Sequence, residues 1–204
     1  MAKLKAPLLS LGANGAIGKA LVFFGWKGLD AVREYVIPAN PKSAKQIIQR
    51  DYLKAAVAKI HFYQASATTP FGTNDATSYA LLGSLQPTPR TWFNTICREW
   101  LNQKVAGKIP AVFTAGSCVP GSLKLTLKII AGVESSAITN FNIHYGTSKT
   151  ALVNVLACTQ TELTAGKDIT GLSKGVKYYC QARATLPTTF LGTNSGIWHG
   201  VPTA

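Results

Sequence analysis

A glycine-rich stretch near the N-terminus, LGANGAIGKALVF at residues 11–23, has the composition of a loop that wraps phosphate groups. Such a loop needs a glycine, four residues and then Gly-Lys-Ser/Thr, because backbone N–H groups surround the phosphates and the hydroxyl holds magnesium. Counted back from Gly18, the first glycine falls on Ala13, and the hydroxyl position is Ala20. The dinucleotide pattern GxGxxG also fails at Ala13. The stretch therefore predicts a turn before a strand, with glycines at positive φ, and no bound cofactor.

The side chains that bind metals or act as nucleophiles are few and dispersed. No CxxC pair occurs and the histidines stand alone, so the spacing predicts no metal site. The carboxylates form no DxE or ExxH pattern, and we expect no catalytic residue and no enzyme. The positions concerned are Cys97, Cys118, Cys158, Cys180, His61, His144, His199, Asp30, Glu34, Asp51, Asp75, Glu99, Glu134, Glu162 and Asp168.

The cysteines leave two readings open. Cys118, Cys158 and Cys180 all lie after residue 110, so one disulfide among them with one thiol left over is conceivable. Buried free thiols are the other reading, because cysteine packs well as a small apolar side chain.

Composition favours a protein that packs against other proteins. The chain has 204 residues, of which 47% are hydrophobic and only 14% are charged, and its formal net charge is +13. The charge admits nucleic acid as a partner, and residues 1–110 hold 14 of the 21 basic residues. Those residues are scattered rather than arranged in a stripe, so nucleic-acid contact through this basic N-terminal half is an alternative only.

The N-terminus makes a poor signal peptide. Lys3 and Lys5 precede an apolar stretch that Gly12, Asn14 and Lys19 interrupt. No run reaches the roughly 18–20 apolar residues of a membrane span. We therefore expect a chain made in a cytoplasm, without its own export signal and without a membrane span.

Residues 1–110 have the pattern of an α+β unit, with a β-hairpin and two helices. ALVFFGW and AVREYVIP are β-rich runs around Lys27-Gly28, and Pro38 ends the second. Asn40-Pro41 and Thr88-Pro89 are helix start signals. The stretch SATTPFGTNDATS between the helices has the composition of a loop. Apolar side chains occur at helical spacing in both helices, at Ile48, Tyr52, Ala55, Ala56 and Ile60 and at Trp92, Phe93, Ile96, Cys97, Trp100 and Leu101.

Residues 111–204 have an all-β pattern, and the change near 107–110 predicts a domain boundary there. In LKLTLKII, Leu123, Leu125, Leu127 and Ile129 alternate with Lys124, Thr126, Lys128 and Ile130, as in a half-buried strand. AITNFNIHY, ALVNVLACT, VKYYCQARA and SGIWHGV follow between Gly/Ser/Thr/Asn turns. This spacing of strands predicts a β-sandwich.

The motif ITGLSKGVKYYCQARA resembles fibronectin type III and related immunoglobulin-like domains. In that family a leucine six residues before a tyrosine marks the turn into a core strand, as Leu172 and Tyr178 do here. The resemblance implies a tyrosine corner, in which the Tyr178 hydroxyl bonds to backbone, with Cys180 and Ala182 facing the core and Gln181 outward. The family's tryptophan in an early strand is replaced by isoleucine. The resemblance implies a fold and no function.

The segment WKGLDAVREYVIPANPKSAKQIIQR, residues 26–50, resembles a segment of bacteriophage structural proteins and prophage proteins. The resemblance implies a non-enzymatic virion structural protein, in the capsid, a head decoration or the tail, with copies of itself and other virion proteins as partners. It also implies localisation in the virion. The matching residues are Lys27, Gly28, Val32, Arg33, Tyr35, Pro38, Asn40, Pro41, Lys42, Ser43, Gln46 and Arg50.

Part of this segment predicts a chain–chain interface, because exposed arginine is suited to docking another chain. Intrachain ion pairs or caps are the alternative role for the same residues. Two other functions stay open: an adhesion module that binds carbohydrate or protein through Tyr145, Tyr179 or Trp198, and a basic DNA-contacting protein. The candidate interface residues are Arg33, Tyr35, Asn40, Pro41, Gln46 and Arg50.

Overall fold

The structure, a computed structural model, describes residues 2–3, 14–37, 39–40, 42–133 and 137–203. Pro38, Pro41 and Glu134 lie outside these residues. The described chain contains four α-helices and three antiparallel sheets. It divides into two compact units, Met1–Ser43 and Ala44–Ala204.

The first unit is a four-stranded antiparallel sheet. Its strands are β1 (Ala2–Lys3), β2 (Gly15–Ile17), β3 (Leu21–Trp26) and β4 (Leu29–Glu34), in the order β1-β4-β3-β2. Within the described part of the glycine-rich stretch, residues 18–20 form the β2–β3 turn, where Gly18 has a φ of 58°. Lys27 and Gly28 form the two-residue β3–β4 turn with φ of 51° and 76°, as a primed hairpin turn requires.

Three helices open the second unit: α1 (Ala44–Ala65), α2 (Thr73–Gly83) and α3 (Trp92–Val105). Helix α3 is capped by Thr91 rather than Thr88, and the Thr91 hydroxyl accepts a hydrogen bond from the Asn94 N–H at 3.4 Å. The loop predicted over residues 66–78 was wrong in its second half, because α2 begins at Thr73. The Asp75 carboxylate accepts the Gly72 N–H at 2.8 Å, so residues typical of a turn here begin a helix.

Two antiparallel sheets follow the helices. One contains β5 (Ala111–Gly121), β6 (Lys124–Val133) and β9 (Lys167–Ile169), in the order β5-β6-β9. The other contains β7 (Asn140–Gly146), β8 (Asn154–Thr159), β10 (Tyr178–Leu186) and β11 (Trp198–Gly200), in the order β11-β10-β7-β8. Helix α4 (Gln160–Ala165) and a 3₁₀ turn (Thr188–Phe190) lie in the connections.

The two sheets share one hydrophobic core. The alternation predicted for β6 is confirmed at Leu125, Leu127 and Ile129, which are all fully buried. It was wrong at Leu123, which is 49% exposed and lies in the turn before β6, with a φ of 49°. Side chains of the other sheet belong to the same buried cluster, and the rings of Phe113 and Phe141 meet edge to face at 6.0 Å between centroids.

The helices pack on the same core, so the division near residue 110 is not the one that the structure shows. Trp100 of α3 and Val112 of β5 belong to one buried cluster, and the backbone N–H of Phe113 donates to the Tyr79 hydroxyl of α2 at 3.0 Å. Tyr63 of α1 packs where a side chain at Gly132 would collide with it, 2.2 Å away. The change of sequence period at 107–110 marks a change of secondary structure inside one unit.

Strand β10 differs in one respect from its predicted orientation. Cys180 and Ala182 face the core and are fully buried. Gln181, expected outward, is only 3% exposed. Its Nε2 donates to the Ser195 carbonyl at 2.9 Å, and its Oε1 accepts from Arg183 Nε at 3.0 Å. The chain before β11 therefore covers the second face of β10.

Tyr178 is bonded to the backbone of the segment that precedes β10. Its hydroxyl accepts a hydrogen bond from the backbone N–H of Ser173 at 3.2 Å, and the adjacent Leu172 is buried. The Tyr178 ring is only half-buried. We expect Tyr178→Phe to lower the free energy of unfolding by about 0.5–1 kcal/mol, because one hydrogen bond is lost while the ring remains. Urea unfolding measures the change, and Tyr179→Phe on the same strand is the control.

Glu162 in the first turn of α4 should titrate at unusually low pH. Its carboxylate pairs with Lys167 Nζ at 2.5 Å and accepts the Thr159 N–H at 2.8 Å, and these bonds lower its pKa to about 2. Because the pKa is lower than in the unfolded chain, the carboxylate adds stability above about pH 4.5. That contribution is lost as the pH falls toward 2. An NMR titration of the Glu162 side chain should show this midpoint, and Lys167→Gln should raise it; a wild-type midpoint near 4.5 would contradict the assignment.

Candidate functional site

The sheet of the first unit has apolar side chains on both faces. Residues paired across antiparallel strands point to the same side, so the register assigns each residue to a face. Among residues 14–37, 39–40 and 42–43, only Phe23 and Ala31 are buried. Trp26 is 55% exposed. One face carries Ile17, Leu21, Phe23 and Val32, and the other carries Val22, Phe24, Trp26, Leu29 and Ala31.

Two predicted interface residues lie in and beside this sheet. Arg33 is exposed, and its guanidinium lies over the Phe24 ring at 5.3 Å from the centroid. The Tyr35 N–H donates to the Ala20 carbonyl at 2.8 Å, while its side chain is 37% exposed. Arg33 thus places a cation at the border of an apolar face, in a geometry that a partner chain can contact.

The other predicted interface residues follow in the chain. Asn40 lies in the first unit and is exposed, Pro41 is outside the described residues, and Gln46 and Arg50 are exposed on α1. The structure gives Asn40, Gln46 and Arg50 intrachain interactions. The predicted interface residues are thus divided between the two units: Arg33, Tyr35 and Asn40 lie in the first, and Gln46 and Arg50 lie in the second.

The first half of α1 leaves an apolar face uncovered. The buried side chains of this helix, Ala56, Ile60 and Tyr63, all lie in its second half. Ile48, predicted to face the core, is 46% exposed, because the packing of α1 on the other helices and the sheets involves the second half. Leu53 is similarly exposed and lines a shallow groove with Val57. The helical spacing identified the apolar side of α1, but it did not show that only the second half of that side is buried.

At the junction of helix and sheet, the buried carboxylate of Asp75 organises the backbone. Besides the Gly72 N–H, it accepts the N–H groups of Ala115 at 3.2 Å and Gly116 at 2.9 Å. These two residues form a bulge in β5, where Ala115 has a φ of 50°. Burial raises the pKa of the Asp75 carboxyl, and the three backbone bonds oppose that rise.

A cavity of about 210 Å³ opens beside this junction. It is lined by α2, β5 and β11, with Ser78, Cys118 and His199 among the lining residues. Burial, followed by the charge of Lys177, lowers the pKa of the His199 imidazole. Trp198 also lines the cavity but is only 6% exposed. Its proposed use as an exposed adhesive side chain is not supported, since Gly116 allows the ring to pack inward.

Comparison with known proteins gives no family for this chain: no protein-family model matches it, and no curated protein is similar to it in sequence. Among the described residues, the helices are too short or too polar to cross a membrane. Within the same residues, histidine, cysteine and carboxylate side chains do not gather into a group of three that could hold a metal ion.

Proposed function

We propose that this chain is a non-enzymatic structural protein of a virion, which self-associates through its N-terminal unit and presents a β-sandwich. The observation that carries the proposal is the sheet of the first unit, which has apolar side chains on both faces and buries few of them. The phage-like segment, residues 26–50, begins in this sheet and supports the virion assignment.

By itself, the first unit can bury only a small amount of apolar surface. Three or more strands need one covered apolar face to be stable, and small units below about 40 residues usually need oligomerisation or another staple. Covering a large apolar side chain such as Trp26 contributes roughly 1.5–3 kcal/mol. Contact between copies supplies that cover.

Composition supports the same conclusion. Only 14% of the residues are charged, so burying this surface requires little desolvation of charge. Glu34 and Arg33 lie on opposite faces of β4. Near the end of this strand, the apolar side chains of one face therefore adjoin a negative charge, and those of the other face adjoin a positive charge.

We further propose that the two facing sheets of residues 111–203 form a fibronectin type III-like or immunoglobulin-like sandwich. Two antiparallel sheets with a shared core support this classification, and so does the backbone bond of Tyr178. In the virion this sandwich is the displayed part of the chain.

Sedimentation of the full-length chain over a wide concentration range tests the function. We expect a discrete oligomer or a larger assembly, with an interface above roughly 1,000 Å² in total. A chain that stays monomeric at high concentration would contradict the proposal. An adhesion module would then be the better assignment, and a glycan array would be the next experiment.

A further inference from the structure

Two cysteines from the two facing sheets lie next to each other. Cys118 is on β5 and Cys180 is on β10, 62 positions later in the chain, and their Sγ atoms are 3.8 Å apart. Both strands are held in register by antiparallel partners, Cys118 opposite Leu127 and Cys180 opposite Tyr145. The backbone of both sheets thus brings the two thiols into contact without any covalent link.

The two thiols differ in their access to solvent. Cys180 is fully buried and also lies 3.8 Å from the Trp198 carbonyl. Cys118 is half-buried and lines the cavity beside α2. A small reagent that enters the cavity therefore meets Cys118 first, with Cys180 directly behind it.

The thiol pKa values favour the same order of reaction. The contact with Cys180 lowers the pKa of Cys118, whereas Cys180 has a raised pKa. Burial raises the pKa of Cys97, and it raises that of Cys158 to about 11. Cys118 is also the only one of the four cysteines that is not buried, and because the accessible thiolate is the reactive form, Cys118 is the favoured nucleophile.

We propose that Cys118 and Cys180 are a redox-active pair, which a small-molecule disulfide such as oxidised glutathione converts to an intramolecular disulfide between the two sheets. The proposal does not depend on the virion function. It requires only that the second unit is folded when it meets the oxidant.

The reaction has two exchange steps. The Cys118 thiolate attacks one sulfur of oxidised glutathione, which breaks the S–S bond, forms a mixed disulfide and releases one glutathione thiolate. Cys180 then loses its proton to solvent, and its sulfur attacks Sγ of Cys118, which releases the second glutathione thiolate. Two protein thiols are oxidised, one glutathione disulfide is reduced to two thiols, and the two released protons protonate the glutathione thiolates.

The test treats the folded, reduced full-length chain with oxidised glutathione, blocks the remaining thiols, and maps the disulfide by mass spectrometry of peptides. We expect one disulfide, Cys118–Cys180, with Cys97 and Cys158 recovered as free thiols. The oxidised chain should unfold at a temperature roughly 10 °C higher, because the bond closes a long loop between formed strands. An unchanged or lower unfolding temperature would contradict a bond that fits the native sheets.

Single variants separate the two roles. Cys180→Ser should stop at the mixed disulfide and retain one glutathione on Cys118, while Cys118→Ser should take up none. Cys97→Ser and Cys158→Ser are the matched controls and should still form the Cys118–Cys180 bond. The proposal is overturned if the wild type keeps four free thiols, if the disulfide maps to another pair, or if the bond forms only between chains.

Discussion

Replacement of Asp75 with alanine should lower the free energy of unfolding by about 3–5 kcal/mol, among the largest effects of any single substitution in this chain. The change removes the carboxylate that accepts the backbone N–H groups of Gly72, Ala115 and Gly116, of which Ala115 also donates to the Pro70 carbonyl at 3.1 Å. Hydrogen bonds to a charged group are worth about 1.5–3 kcal/mol each, and buried donors without an acceptor add a penalty. Relief from burying a carboxylate offsets part of the sum. Urea unfolding near pH 7 should show a lower midpoint with an unchanged m-value.

The asparagine variant separates charge from geometry. Asp75→Asn keeps one carbonyl oxygen for Gly72 and Ala115 but presents an NH₂ group to the Gly116 N–H, so we expect a loss of about 2–3 kcal/mol. Asp51→Asn removes the same charge from an exposed site on α1 and should change stability by no more than about 0.5 kcal/mol. A loss below about 1 kcal/mol in Asp75→Ala would show that the bulge in β5 does not depend on this carboxylate.

The periodicity of apolar residues predicted those strands and helices that pack one face against a single neighbouring layer. In β6 every second residue faces the shared core, so the alternation of Leu125, Leu127 and Ile129 identified both the strand and its buried face. In α3 the helical spacing of Ile96 and Trp100 identified the buried side in the same way. Each of these elements packs against one neighbouring layer, and packing on one side produces a regular spacing of apolar residues that is visible in the sequence.

Long-range partners explain what the sequence did not predict. Asp75 lies in the first turn of α2 and also binds the bulge of β5, 40 positions later, so residues with turn-like composition form a helix. Gln181 is buried because Ser195 supplies a backbone acceptor. The unit boundary was misplaced for the same reason: a change of period reveals a change of element, whereas a boundary depends on which elements share a core.

The candidate sites also depend on contacts between residues that are distant in the sequence. The phage-like segment predicted Arg33 and Tyr35 as interface residues, and the turn residues Lys27-Gly28 predicted the hairpin. The two apolar faces of the sheet emerge only once β2 and β4 are aligned with β3. The proximity of Cys118 to Cys180 likewise depends on the facing of two sheets, which cysteine spacing does not encode.

Trp26→Asp should abolish self-association at concentrations where the wild-type chain assembles. The side chain is 55% exposed at the end of β3, next to Leu29 across the hairpin, and central aromatic contacts often contribute 2 kcal/mol or more to an interface. The aspartate would also bury an unpaired charge. Together these effects should weaken association roughly 100-fold or more. Sedimentation velocity over a concentration series measures the shift.

The control places the same new charge on an apolar side chain of the other unit. Val153 is 77% exposed and precedes β8, so Val153→Asp should assemble like the wild type if the N-terminal sheet forms the contact. A second pair compares charge reversal in the sheet, Arg33→Glu, with Lys128→Glu on the exposed side of β6; only the first should impair assembly. Circular dichroism of each variant verifies the fold. If Trp26→Asp assembles normally while Val153→Asp does not, the interface belongs to the second unit, because the added charge disrupts association only where a partner covers it.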